Sequence, residues 1–248
     1  MISGQFHQGS GLGNQLARYV ATRVLAKDKG TSFGMTHPEL FKGYFIQADL
    51  GLDATDVTFA NHWTEKKVVE NGVDIRSYDP EINFVEDCTL IEGELQAPQY
   101  FEHRLDEVRE WLRVEPRETP DNLCVINFRG GEYTLFPELF LTKEYWDEGI
   151  YRMRGLQSEM KFEVHTDDPV TAQRFFPDFP VIHDVGYNWR SIRYAKYLLL
   201  SNSSFAILPA LLNQDVKKII APRGWARHNL GNGIWAQPSN YYKQFTYI

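Results

Sequence analysis

Leu123-Cys124-Val125-Ile126-Asn127-Phe128-Arg129-Gly130-Gly131-Glu132-Tyr133 is the stretch on which the reading of this chain turns. Its first six residues form a short apolar run, consistent with a buried strand. The strand hands over to a charged, glycine-rich turn at its carboxyl end. In α/β sheets that edge is where ligands bind. Arg129 offers there a planar fork of N–H donors matched to phosphate oxygens. Position alone does not separate such an arginine from an ordinary surface charge, so the rest of the sequence has to decide.

Working outward, the segment 114–122 (VEPRETPDN) is polar, carries two prolines and reads as a linker. Downstream of it the pattern predicts a helix near 142–156, a strand over 161–165, a helix over 191–200 and a strand over 217–220. Upstream, an apolar start at Ile2–Phe6 leads through Gly9, Gly11 and Gly13 into a helical pattern. Leu16, Tyr19, Val20 and Val24 fall on one face of it, at the spacing of an amphipathic helix, and Gly30 closes it. A further helix is expected over 100–112, with Leu105, Val108 and Leu112 on one face. Strands alternating with helices predict α/β layers and mainly parallel sheets, in two halves on either side of the linker.

Composition narrows the function classes. The chain has 248 residues, 43% hydrophobic and 24% charged, which is ordinary for a globular protein long enough for one or two domains. Its net charge of −7, without a run of Lys or Arg, argues against nucleic acid as a partner. The two cysteines, Cys88 and Cys124, lack metal-ligand spacing and suit a reducing compartment better than a disulfide framework. The first ten residues do not read as a signal peptide, and no window approaches the run of apolar residues that spans a bilayer. A cytoplasmic protein without an integral membrane segment is expected.

The loop Gly9-Ser10-Gly11-Leu12-Gly13-Asn14-Gln15 lies between a strand and a helix, where backbone can approach a ligand closely and the helix N-terminus favours anions. It is not a dinucleotide fingerprint, because the third glycine position is Asn14 or Leu16, depending on register. It is not a P-loop either, lacking Gly-Lys-Ser/Thr. Read on through Leu16, Ala17, Arg18 and Tyr19, it resembles the G-x-L/F-G-N-Q-x-x-x-Y-A signature of α1,2-fucosyltransferases. Residues 127–133 resemble that family's H-x-R-R-G-D-Y loop, with Arg129, Gly131 and Tyr133 matching; Asn127, Gly130 and Glu132 stand where the family has His, Arg and Asp.

Four more segments follow in family order. Residues 91–101 (IEGELQAPQYF) are similar to a G-Y-x-Q-x-x-x-Y-F segment, with Glu94 in place of the aromatic residue. Residues 162–169 (FEVHTDDP) resemble a strand ending in S-D-D. Ser201-Asn202-Ser203-Ser204-Phe205 resembles an A-N-S-S-F motif whose following tryptophans are aliphatic here. Ile220 to Trp225 is similar to an A-P-x-x-W strand end.

This resemblance implies a GT-B-type fold, two Rossmann-like α/β domains facing a cleft, with residues 1–118 on the acceptor side and 119–248 binding the donor. It implies inverting fucosyl transfer from GDP-fucose, a nucleotide sugar, to a hydroxyl of a glycan acceptor. Gly11, Gly13, Asn14, Gln15, Arg129, Asp167, Ser203, Ser204 and Phe205 become the candidate donor-binding residues. Arg129 would hold the pyrophosphate, where negative charge develops as the glycosidic bond breaks. Asp167 and Asp168 are adjacent rather than spaced as D-x-D, so neither a metal ion nor another cofactor is called for. Glu132 and His7 are candidates for the base that takes the acceptor proton; Glu132 has a second reading, as an ion-pair partner that orients Arg129. Two further readings stay open: a binding module of the same fold without catalysis, and a transferase for another nucleotide sugar.

Overall fold

The computed structural model describes residues 1–70, 73–137, 139–157, 159–223 and 242–248. They fall into two compact units, 1–114 and 115–223 with 242–248. The division lies at the start of the proline-containing segment 114–122, four residues before the expected boundary. Residues Gly224 and Trp225 of the strand-end motif lie outside the described residues.

The first unit contains strands β1 (Ile2–Gln5), β2 (Phe33–Thr36), β3 (Leu52–Asp53), β4 (Asn61–Thr64), β5 (Lys67–Glu70), β6 (Val73–Arg76) and β7 (Thr89–Glu92). Five of them form one parallel sheet in the order β3-β2-β1-β7-β4, while β5 and β6 pair as an antiparallel hairpin. Helix α1 (Leu12–Asp28) crosses from β1 to β2 and buries Leu16, Tyr19, Val20 and Val24, the face that its periodicity marked. It ends with Gly30 at a φ of 64°, the Gly30 amide donating to the Lys27 carbonyl and the Thr31 amide to the Ala26 carbonyl. That pairing satisfies the last carbonyls of the helix and requires a residue at ease in the left-handed region. The helix expected over 100–112 is shorter: α2 (Leu105–Trp111) follows two single 3₁₀ turns at Pro98–Tyr100 and Glu102–Arg104.

The second unit contains β8 (Leu123–Phe128), β9 (Lys161–Thr166), β10 (Val181–Ile182), β11 (Tyr197–Leu200), β12 (Lys218–Ala221) and β13 (Thr246–Tyr247). All run parallel, in the order β10-β9-β8-β11-β12-β13. The first strand in sequence lies in the middle, the next two are added on one side and the last three on the other. This is the strand order of a doubly wound dinucleotide-type fold, and its direction of winding reverses between β8 and β11. Helices α3 (Lys143–Leu156), α4 (Pro169–Phe175), α5 (Val185–Tyr194) and α6 (Ser204–Leu212) connect the strands.

One expectation fails here. The helix predicted over 191–200 is the end of α5 followed by strand β11. The run Tyr197-Leu198-Leu199-Leu200 is apolar throughout, so its periodicity does not separate a buried helix from a central strand. Buried between β8 and β12, it is a strand.

Phe128, the last residue of β8, is fully buried among aromatic rings. Its centroid lies 5.3–5.9 Å from those of Phe140, Trp146, Phe175 and Phe176. Rings packed edge-on and tilted in this way leave the strand end little freedom. The next residue is Arg129.

Candidate functional site

Arg129 leaves the carboxyl end of β8 beside the point where winding reverses. Its guanidinium meets the Asp167 carboxylate at 2.5 Å and the Glu132 carboxylate at 3.0 Å, and it lies 5.1 Å from the centre of the Tyr133 ring. The side chain is about one-third exposed. The expected partnership with Glu132 is therefore present, and Asp167 joins it. Two of the five guanidinium N–H donors are used in this way. Burial raises the Tyr133 phenol above its ordinary value, so it stays protonated beneath the cation.

Asp167 and Asp168 come from the turn after β9. The Gly130 amide donates to Asp167 at 2.9 Å, and the Gly131 amide donates to Asp168 at 3.2 Å. Asp167 was expected as a donor-binding residue; its carboxylate is engaged by the Gly130 amide and the Arg129 fork, which makes it a support of the loop. Gly131 has a φ of 46°, and a Cβ on Gly130 would stand 2.6 Å from the Cβ of Asp168. The arginine that the resembling family carries at position 130 has no room here. The turn itself is fixed from behind: the Thr166 carbonyl accepts from His183 Nδ1 at 3.0 Å and Asn188 Nδ2 at 3.3 Å, and Asn188 Oδ1 meets the buried His165 ring at 2.8 Å.

Across the reversal point, β11 delivers Ser201, Asn202 and Ser203. The amide of Ser201 donates to the Asn127 carbonyl at 3.0 Å and its hydroxyl to Asn127 Oδ1 at 2.9 Å. Asn127, where the family has histidine, thus staples the ends of β8 and β11 together. Ser203 caps α6 by accepting the Phe205 amide, and Ser204 opens the helix. The first turn of α6 carries no acidic residue, and the positive end of the helix stands near the carboxyl edge of the sheet. Asn202 is buried, with its Nδ2 held by the Leu139 carbonyl and its Oδ1 without a hydrogen-bond partner.

The second unit therefore brings Arg129, Glu132 and Asp167 into contact and places Ser203, Ser204 and Phe205 on the neighbouring strand end. Gly11, Gly13, Asn14 and Gln15 belong to the first unit. There, Gly9 takes a φ of 81°, Gly11 is the N-cap of α1, and Gly13 lies in its first turn. Asn14 accepts from Gln96 at 3.1 Å. Gln15 is fully buried, its Nε2 donating to the Leu40 carbonyl and its Oε1 accepting from the Lys42 amide. Gln15 shapes the loop at 40–42, and a donor contact from its side chain does not fit that arrangement.

Arg18, which the motif contains without a stated role, is the hub of the glycine loop. It donates to the Gly93 carbonyl at 2.7 Å, to Ser10 Oγ at 2.8 Å and to Glu94 at 3.3 Å. Burial first, then the Arg18 charge, lowers the pKa of His7 below its ordinary value, so near neutral pH the ring is uncharged.

No family model and no curated protein matches the sequence. Solved structures match by fold. A crystal structure of POFUT1 in complex with GDP-fucose gives a TM-score of 0.52 at 10% identity, over 85% of this chain and 93% of that one. The fold is of the GT-B type. It comprises two Rossmann-like α/β units, each with a parallel sheet. An E. coli heptosyltransferase, WaaC, with ADP gives a TM-score of 0.47 at 13% identity, covering 99% and 94% of the two chains. A family 9 glycosyl transferase from Veillonella parvula gives 0.49 at 11% identity, covering 100% and 86%. Among the described residues, no helix is long and apolar enough to cross a membrane.

Sequence reasoning missed Asp168, Asn188, Arg18 and Glu65, whose carboxylate accepts the Glu94 and Leu95 amides, as organisers of these loops. Asp168 was visible as one half of an Asp-Asp pair before Pro169, a common start to a helix. Asn188 and Glu65 left no local signal, because their partners lie more than twenty residues away.

Proposed function

We propose that this chain is a glycosyltransferase that transfers a sugar, fucose in the reading favoured here, from a nucleotide-diphosphate donor to a hydroxyl of a glycan acceptor. The observation that carries the reading is the pairing of Arg129 with the N-terminus of α6 on adjacent strand ends, at the winding reversal of a doubly wound sheet. Diphosphate oxygens suit both a guanidinium fork and the positive end of a helix. As the anomeric C–O bond breaks, the electron pair passes to the diphosphate, and donors already in place stabilise it without reorganising. On this reading Arg129, Ser203 and Ser204 carry that charge without a metal ion, and Glu132 holds Arg129 in orientation. Of the two base candidates, Glu132 is paired with Arg129 in the second unit, and His7 has a neutral ring in the first. The solved complex of POFUT1 with GDP-fucose supports GDP-fucose as the first donor to test. A cytoplasmic location accompanies the proposal, supported by two free thiols.

The engagement of Arg129 by two carboxylates favours a second reading, in which the site binds a nucleotide or sugar without turning it over. A thermal-shift screen of GDP-, UDP- and dTDP-sugars, followed by transfer assays on a glycan panel, separates the two. A ligand at a hundred times its Kd stabilises the folded state by about 2.7 kcal/mol, a readily measured rise in Tm. GDP-fucose binding with transfer supports the first reading, binding without transfer supports the second, and no response to any of the three nucleotides sinks both.

A further inference from the structure

We propose that Asp168 is a positioning residue for the Arg129 loop, acting through the amide of Gly131. Asp168 does two things at once. One carboxylate oxygen caps α4 by accepting the Thr171 amide at 3.1 Å, and the other accepts the Gly131 amide at 3.2 Å. Its own amide donates to Thr166 Oγ1 at 2.9 Å, which ties the carboxylate to the end of β9. Gly131 sits in the left-handed region at a φ of 46°, where a Cβ would also come within 2.7 Å of Asp167 Oδ2. A Cβ on Gly130 would press against Asp168 itself. Two glycine amides thus lie against two adjacent carboxylates, and neither glycine tolerates a side chain. The loop takes its course from this mould, and the course aims the Arg129 fork. Hydrogen bonds from Thr171, and then from the Gly131 and Val170 amides, hold the Asp168 carboxyl below the ordinary carboxylate range, so the mould is charged at neutral pH.

The ligand half of this inference rests on the proposed reading of Arg129 as a diphosphate-binding group; the loop-shaping half does not. Asp168→Ser in the full chain separates the two duties. Serine is a good helix cap, so α4 keeps its start, but the shorter side chain does not reach Gly131. Amide hydrogen exchange is measured on the ligand-free protein, and GDP binding by calorimetry. The expected result is exchange at Gly131 faster by about tenfold or more, unchanged protection in α4 and β8, and GDP binding weaker by about tenfold. Unchanged exchange at Gly131 overturns the proposal, as does a loss of protection in α4 that matches the loss at Gly131, since Asp168 would then be a helix cap alone. A loosened loop with undiminished GDP binding overturns the ligand half. Failure of the wild-type chain to bind GDP, with Gly131 still released by the substitution, overturns the GDP-fucose reading and leaves the loop-shaping role standing.

Discussion

Arg18 and Arg129 make a natural pair for comparison. Each stands beside the carboxyl edge of a parallel sheet, next to a glycine-rich loop, and each faces a carboxylate. Arg18 is 8% exposed and is spent on structure: the Gly93 carbonyl, Ser10 and Glu94 engage its fork on three sides. Arg129 leaves about a third of its side chain open and contacts two carboxylates that are themselves partly exposed. The glycine loop of the first unit is held from inside by a buried cation. The loop of the second is held from beneath by two carboxylates, with its cation facing outward. The same residue type at the same kind of sheet edge is thus scaffold in one unit and available for chemistry in the other, and burial decides which.

The largest expected effect sets these two arginines directly against each other. Arg129→Ala should lower transfer by about a hundredfold or more, roughly 3 kcal/mol of transition-state stabilisation, while Tm moves little. Steady-state kinetics beside a melting curve checks it, and unaltered turnover would remove Arg129 from the mechanism. Arg18→Ala should do the opposite. Removing one partner of a largely buried pair and orphaning the Gly93 carbonyl should cost about 3 kcal/mol of stability, read by urea unfolding. If the protein instead keeps its stability and loses nucleotide binding, the contrast between the two arginines collapses.

A smaller effect is expected from Gly130→Ala. The added methyl would meet the Asp168 Cβ, at an overpacking cost of about 1–3 kcal/mol, with nucleotide affinity reduced as the loop shifts. Nucleotide affinity equal to the wild type would show that the loop has slack and that the mould around Arg129 is not tight.

The smallest effects are in pH dependence, and their signs differ between the units. Glu65 is buried under Gly93, Glu94 and Leu95, accepting the amides of the last two. Burial raises its pKa, against the pull of those amides, above the ordinary value. A raised carboxyl binds its proton more tightly in the folded state, so the stability linked to it is present below the ordinary Glu value and is lost as pH rises through the folded one. Asp168 is lowered, so its contribution is present above the ordinary Asp value and is lost as pH falls. Unfolding curves from acid to neutral pH should therefore flatten on the alkaline side in Glu65→Gln and on the acid side in Asp168→Asn. Flattening on the same side in both would contradict the assignment of one carboxylate as buried and the other as open.

Much of the second unit was legible because its signals are local. The apolar run 123–128 is β8, 161–166 is β9, and helix α3 begins within a residue of its expected start. The first unit was legible at β1 and α1, where glycine and periodicity agree, and much less so beyond them. Strands β2, β3, β4 and β7 are two to four residues each, too short to show a period, and they exist through pairing with partners far along the chain. At the candidate site, the sequence offered Arg129 with Glu132 as an ion-pair partner on one loop, and Asp167 on another.

What the sequence determined by itself is the alternation that makes two α/β halves, and the delivery of Arg129 to a strand end by the apolar run before it. Apolar patterning and glycine punctuation act over a few residues, so they can be read without the fold. Only the tertiary structure decided that Gln15 and Arg18 are buried scaffold, that Asp167 supports the loop from beneath, and that position 130 has room for glycine alone. Each of those depends on which strand ends become neighbours in a parallel sheet. Parallel neighbours are joined by long crossovers, so the groups that meet there lie tens of residues apart, and no local pattern records the meeting.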